Sequence, residues 1–377
     1  MDFSYSDEQQ MLQDSVGKFI QGQYDFETRQ KLIASELGFS AENWALFAEL
    51  GWLTVPFKEE DGGFGGSAVD MMVLMEEFGK GMVVEPFLAT AVLSGGLIAE
   101  LGDAEQKENL LSAIMEGSLQ VATAYAEPAS RFNLAAVATQ ATRSGDDYVI
   151  SGDKVVVLNG ASADKLLIVA RTAGEQFDKD GISVFVVDSS AQGISRRAYT
   201  TVDGHRAAEI RLRDVKVPAS SLLGQEGQAL SALESAIDRA TLAVSAEAVG
   251  VMDTMLQKTV EYSKTRKQFG VAIGTFQALQ HRMAEMFIEC QLARSIVIMA
   301  AMKLDSTTDR NETAKAVAAA KSRVGRAMRK VGQDSVQIHG GIGVTDELDV
   351  GHYFKRVTGI ENLFGSTDYH TQRYAAL

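Results

Sequence analysis

Cysteine is nearly missing from this sequence. Cys290 is the single one in 377 residues, so an intrachain disulfide and a thiolate-rich metal site are both excluded. The five histidines are scattered, without the His-Glu-x-x-His spacing of a helical zinc site, and no bound metal is expected. An excess of positive charge is also lacking. The formal net charge of -14 favours solubility and argues against a polyanionic partner such as nucleic acid. The most apolar helical stretch, "ARSIVIMAAMKL" at 293–304, falls well short of the roughly 20 residues a bilayer span needs, so no membrane insertion is expected. The first residues, "MDFSYSDEQQMLQDSV", hold no basic segment followed by an apolar one, so neither a secretory nor a transit leader is read there. Low cysteine use suits a reducing compartment, and the expected location is cytoplasmic.

What is present is an ordinary globular composition, 46% hydrophobic and 23% charged, over a length that favours two or three domains. Periodicity divides the chain into three. Residues 1–118 carry helical spacing in "EQQMLQDSVGKFI", "NWALFAELGWL", "DMMVLMEEFGKGM" and "AEQKENLLSAIMEG", which predicts an N-terminal helical domain. Its glycine-rich connector "FKEEDGGFGGS" (57–67) fits no phosphate-binding fingerprint and reads as a loop. Residues 119–228 hold short β-rich runs such as "YVISGDKVVVLNG", "DKLLIVARTA" and "GISVFVVD", with no room for crossover helices. They predict a middle antiparallel β domain in which "SGDD" and "SGDK" are turns between neighbouring strands. Residues 229–377 return to the helical period, near 231–264, 276–303 and 312–338, followed by a glycine break and a last helix from about 366. Helices of that length predict a C-terminal four-helix bundle, and the small-residue face "AKAVAAAKSRVGRAM" favours burial against another chain. The fold class is therefore α+β.

Two stretches of the bundle could carry chemistry. In "SKTRKQFGVAIGTFQALQ" (263–280), Arg266 offers a five-donor fork suited to phosphate, Phe269 a ring face and Gln277 an amide. A salt-bridging Arg and a Phe that plugs the bundle end would use the same residues. In "DSVQIHGGIG" (334–343), Gln337 stands one turn before Gly340 and Gly341, whose bare backbone admits a ligand closely but equally makes a helix cap. His339 reads as a packed or capping residue. In "AYAEPASRFN" (124–133), Glu127 is as suited to accepting backbone N–H bonds as to touching a substrate.

The order helical domain, β domain, helical bundle, with "RKQFG" and "QIHGGIG" about seventy residues apart, resembles the acyl-CoA dehydrogenase family over nearly the whole chain. "EQQMLQDSVGKF", "EEFGK" and the "LLG" after the β region add to the likeness. The resemblance implies an FAD held by one subunit and gripped by the bundle of its neighbour. Carried over residue by residue, it assigns Arg266, Phe269, Gln277, Gln337, Gly340 and Gly341 to an FAD shared across that interface. It further implies acyl-CoA as substrate and an electron-transferring flavoprotein as acceptor.

The half a subunit applies to its own FAD departs from the family. The Thr of the family's Thr-Glu-Pro is Ala126, its flavin-facing Trp and Thr are Val156 and Leu158, and its Gly-Ala-Gly-Ser-Asp loop is Ala129 to Asn133, with bulky Arg131 and Phe132. Members place their proton-abstracting Glu in a Tyr-Glu-Gly-Thr turn, here Phe364-Gly365-Ser366-Thr367, or on the first bundle helix, here Ala240. Neither position holds a carboxylate, and no catalytic residue is assigned. Asp238 is turned about 200° from the Ala240 direction, Asp368 suits a first-turn role, and Glu361 stands near enough to swing in. The expectation is the non-basic subunit of a heteromeric α2β2 acyl-CoA dehydrogenase, partnered by a second dehydrogenase-like subunit. Such paired enzymes degrade steroid side chains or dicarboxylyl- and aromatic-acyl-CoAs. A self-sufficient homotetramer with an atypical base and a non-catalytic scaffold are the alternatives.

Overall fold

The computed structural model describes residues 5–377; the leader-free reading of the N-terminus rests partly on residues 1–4, which lie outside them. The chain opens with helices α1 (Asp7–Gln23), α2 (Phe26–Ala34), α3 (Ala41–Glu49) and α4 (Ala68–Gly81). A π-helical stretch, Leu88–Ser94, then runs into α5 (Gly95–Leu101), followed by α6 (Ala104–Met115). Strands follow: β1 (Val121–Ala124), β2 (Gln140–Ser144), β3 (Asp147–Leu158), β4 (Lys165–Arg171), β5 (Ile182–Asp188), β6 (Ile194–Thr200), β7 (Arg206–Pro218) and β8 (Leu222–Leu223). Helix α7 (Leu230–Thr265) leads through the hairpin β9 (Lys267–Gln268) and β10 (Val271–Ala272) into α8 (Gln277–Ser306), α9 (Arg310–His339), α10 (Asp349–Asn362) and α11 (Thr367–Ala376).

Capping side chains begin several helices. Ser6 and Gln9 form a reciprocal capping box at α1, Asp103 and Gln106 do so at α6, and Asp309 accepts two backbone N–H groups at α9. Three helical segments carried too little period to be read. Among the side chains of α2, Arg29 is the buried one, so no apolar stripe shows there. Residues 88–98 are buried almost throughout, which erases the polar face. In α10, Val350, Tyr353, Val357 and Ile360 do recur helically, but buried Gly351, His352 and Arg356 interrupt the stripe.

Packing divides the chain into two compact units, residues 1–31, 68–83 and 241–377 in one and residues 32–67 and 84–240 in the other. In the first, α4 and α7 touch backbone to backbone. A Cβ on Gly79 would stand 2.0 Å from the Glu247 carbonyl oxygen, and one on Gly250 would stand 1.9 Å from that of Glu76. Two buried carboxylates here are met by arginines. Arg356 of α10 donates from Nε and Nη2 to the two oxygens of Glu247, both at 2.6 Å, and Arg294 of α8 binds Glu76 at 2.8 Å and also Asp253.

The second unit is built on the sheet, in the order β6-β7-β3-β2-β4-β5-β8, with β1 beside β4. The sheet is mixed, which corrects the purely antiparallel expectation. β1 lies parallel to β4 from Val121↔Lys165 to Ala124↔Ile168, and β2 meets β4 in parallel at Gln140↔Arg171. The intervening segment and the β2–β3 hairpin, rather than a helix, carry the chain across. "SGDD" does turn β2 into β3, with Gly145 at φ 66°, but "SGDK" does not turn. It lies inside β3 at a register shift, where a Cβ on Gly152 would come 2.3 Å from Thr139 Oγ1. The sheet's apolar face is filled by Tyr148, Ile150, Ile168, Phe185, Ile210 and Leu212, all buried.

Candidate functional site

The β9–β10 hairpin has a two-residue tip, Phe269-Gly270, with φ of 53° and 83°. Tight hairpins favour left-handed backbone at both tip positions, and Asn-Gly satisfies that cheaply, whereas a bulky aromatic in the first position is strained. The Phe269 ring gains little from its own chain in return. It is 92% exposed, and its aromatic neighbour among the described residues is Phe276, edge on, at 6.1 Å between centroids. Arg266 continues α7, its N–H bonded to the Tyr262 carbonyl at 2.8 Å, and its carbonyl accepts from Ile273 N at 2.8 Å, closing the hairpin base. Arg266, Gln277 and Gln337 are all exposed, and their side chains take no hydrogen-bond partner among the described residues.

The two distant motifs meet through residues that sequence reasoning passed over or read otherwise. His339, at the end of α9, stacks on the ring of Tyr262, one turn before Arg266, at 4.4 Å and 26°. Tyr262 Oη donates to the His339 carbonyl at 3.3 Å, and Thr259 and Ser335 bond through their hydroxyls at 2.6 Å one turn deeper. His339 Nδ1 donates to the Ser335 carbonyl at 2.8 Å, and burial pulls the imidazole below its ordinary range, so it is a packed neutral ring as read. The aromatic at 262 was the available signal: it lies four residues before Arg266, on the same helical face. Gly340 has φ 68°, and a Cβ on it or on Gly341 would meet nothing within 4 Å. The backbone there is bare and open. A guanidinium fork, an exposed ring and two exposed amides fit the phosphates and flat rings of a dinucleotide, and the open glycine backbone leaves room for one to come close.

The segment 126–139 is equally well made but differently occupied. Glu127 accepts from Ala138 N at 2.7 Å, Thr139 N at 3.0 Å and Lys154 Nζ at 2.7 Å. Burial pushes its carboxyl up, and the Lys154 charge with these bonds more than reverses that, holding it below the usual range. Glu127 is thus a strut. Arg171 donates six hydrogen bonds to the carbonyls of Ala135, Val137, Ala173, Gln176, Asp178 and Asp180, between 2.9 and 3.2 Å. Two substituted positions keep strained backbone: Arg131 at φ 48° and Val156, a β-branched residue in left-handed conformation, at φ 52°. Val156 is 47% exposed at a register shift of β3, a place that re-aims a side chain, yet it offers no ring to aim.

None of the three acids named as substitutes is free at the turn before α11. Glu361 accepts from Thr367 N at 3.0 Å and Thr367 Oγ1 at 2.9 Å, so it is engaged as a cap. Asp368 is exposed in the first turn of α11, and Asp238 is buried on α7, with Ala240 fully enclosed. Ser366 caps α11 by accepting from Tyr369 N at 3.3 Å. Burial, with Lys321 and Arg373 nearby and the Phe364 carbonyl opposing, pulls His370 down to about 3. Burial likewise pulls Lys321 down to about 8, against Glu361. Cys290 is enclosed, and burial pushes its thiol up to about 12, so it is inert. Among the described residues there is no group of three or more His, Cys, Asp or Glu that could hold a metal ion, and no helix long and apolar enough to cross a membrane.

Three sequence profiles match in chain order: acyl-CoA dehydrogenase N-terminal domain over residues 6–118, middle domain over 122–215 and C-terminal domain over 228–376. A probable acyl-CoA dehydrogenase of Bacillus subtilis, YngJ, is 30% identical over 355 residues, covering 93% of this chain and 92% of its own length. Butyryl-CoA dehydrogenase from Megasphaera elsdenii superposes with a TM-score of 0.91 at 27% identity, over 100% of this chain and 99% of that one. A chain of the ChsE4-ChsE5 complex from Mycobacterium tuberculosis superposes with a TM-score of 0.89 at 26% identity, over 100% of this chain and 98% of that one. In sequence, fold and order of parts, this chain belongs to the acyl-CoA dehydrogenase family and has the fold of its FAD-dependent members.

Proposed function

We propose that this chain is the non-basic subunit of a heteromeric acyl-CoA dehydrogenase, donating Arg266, Phe269, Gln277, Gln337, Gly340 and Gly341 to an FAD completed by a partner subunit. The observation that carries the reading is a contrast. The donated set is exposed, the side chains of Arg266, Gln277 and Gln337 take no hydrogen-bond partner among the described residues and Phe269 is held on strained backbone, while positions 240 and 365 hold no carboxylate. When bound, FAD accepts the hydride that leaves the β carbon of the acyl-CoA. Arg266 supplies the charged fork for phosphate oxygens, Gln337 supplies a neutral donor, the bare Gly340-Gly341 backbone lets the ligand come close, and Phe269 covers a ring face and excludes water. The α proton is taken by a carboxylate of the partner. Likeness to a chain of the ChsE4-ChsE5 complex supports pairing with a second chain of the same family. Transfer to an electron-transferring flavoprotein follows from the family resemblance, and a cytoplasmic location from the low cysteine use and the absence of a long apolar stretch.

The test is the ratio of bound flavin to chains, measured for the chain alone and with its dehydrogenase-like partner. One FAD per two chains, in the complex only, is expected. One FAD per chain in the isolated protein sinks the heteromeric reading. Arg266→Ala is expected to weaken flavin retention roughly 10- to 100-fold, the loss of charge-assisted bonds, while leaving the melting midpoint of the isolated chain unchanged. Full flavin retention in that variant would contradict the crossed assignment.

A further inference from the structure

The turn before α11 does not merely lack a carboxylate. Gly365 is buried at φ 120°, and a Cβ there would lie 2.5 Å from His370 Nε2 and 2.5 Å from Tyr369 Cδ1. The obstructing imidazole is held in place: it is 1% exposed, and Nε2 donates to the Phe364 carbonyl at 3.0 Å. Beneath it, α9 provides a seat. A Cβ on Gly325 would stand 2.0 Å from Thr367 Oγ1 and 2.7 Å from Glu361 Oε2, so only glycine lets the turn press this close. One helical turn earlier, buried Lys321 donates to the carbonyls of Ile360 at 2.6 Å and Glu361 at 3.4 Å, satisfying the last turn of α10. Ser322 and Thr371 join α9 to α11 through their hydroxyls at 2.8 Å.

We infer that Lys321, Gly325, Glu361, Thr367 and His370 form a lock joining α9, α10 and α11, and that the lock itself bars a proton-abstracting carboxylate from position 365. His370 positions the turn by acting through the Phe364 carbonyl. The functional meaning rests on the assignment of position 365 under the heteromeric reading; the lock as a physical object does not. Restoring the side chain alone therefore does not restore a catalytic turn, because the first carbon already overlaps the ring.

A melting cycle on the full chain tests this. Gly365→Ala is expected to lower the midpoint by about 5 °C or more, since one Cβ adds both backbone strain and overlap. In a His370→Ala background the overlap with the imidazole is gone and that with Tyr369 remains, so the same substitution costs less than it does in the parent. Gly365→Glu melts no higher than Gly365→Ala. His370→Gln, which can still donate to the Phe364 carbonyl, keeps more of the parent midpoint than His370→Leu, an order that a purely space-filling ring would not produce. A Gly365→Ala protein melting within about 1 °C of the parent, or costs that simply add, overturns the lock. Flavin content, read in the same samples, bears only on the heteromeric reading, so either idea can fail without the other.

Discussion

Two Phe-Gly pairs in this molecule take the same unfavoured backbone and use it in opposite ways. Phe269-Gly270 has φ of 53° and 83°, and Phe364-Gly365 has 57° and 120°. The first pair sits at a hairpin tip and holds its ring out, 92% exposed; the second is folded inward, with Phe364 6% exposed and its carbonyl bound by His370. Both Phe residues bear comparable strain, of order 1–3 kcal/mol, but only the buried pair recovers it through contacts inside the chain. An exposed strained aromatic must recover it elsewhere, through a ligand or another chain. Backbone conformation by itself therefore does not mark a working site; where the stabilising contacts lie does.

The largest expected effect is on the frame of the buried pair. α10 leads into it and is anchored by Arg356 on Glu247. Glu247→Ala is expected to cost about 3–5 kcal/mol in urea denaturation, because it strips the carboxylate from a buried charge. A loss below about 1 kcal/mol would mean that α10 is held chiefly by other contacts.

A smaller effect separates the pairs by pH. His370 is pulled in the fold from 6.5 to about 3, below its unfolded value. Its contribution is therefore fully present above about 6.5 and is lost as pH falls toward about 3, because the unfolded chain takes up the proton first. His370→Phe is expected to flatten the fall in stability between pH 7 and pH 4, read as urea midpoints. An unchanged slope would show that the ring titrates as it does in the unfolded chain. Flavin retention through the exposed pair should not follow that titration.

The smallest effect is expected at the hairpin, with the opposite sign. Phe269→Asn places a residue that tolerates left-handed backbone before Gly270 and should raise stability by about 0.5–1 kcal/mol while weakening flavin retention in the complex. A variant that gained neither stability nor a flavin defect would remove the distinction between the two pairs.

Much of this was legible in the sequence, and the boundary is physical. The three long bundle helices show their period, and both bundle motifs proposed to hold the cofactor show their residue types within a few positions. That position 365 holds no carboxylate and position 156 no ring is also readable, each being one letter of the sequence. The lock is not readable, because its members lie on three helices whose facing sides no local period specifies. Glu361 illustrates the limit: its proximity to the turn was visible, but not that Thr367 already occupies both carboxylate oxygens. The parallel pairing of β1 with β4 escaped for the same reason, being a contact between residues more than forty apart.

The bonds around Gly365 also differ in the length of chain they close. Glu361 to Thr367 and Phe364 to His370 each span six residues, whereas Lys321 reaches the end of α10 across 39. Closure entropy grows with loop length, so the turn and the start of α11 can form early from nearby chain, before α9 is in place. Docking onto Gly325 and Lys321 closes the longer loop and costs the more chain entropy. The seam thus joins a corner held by local bonds to a helix that must present a glycine in register to receive it.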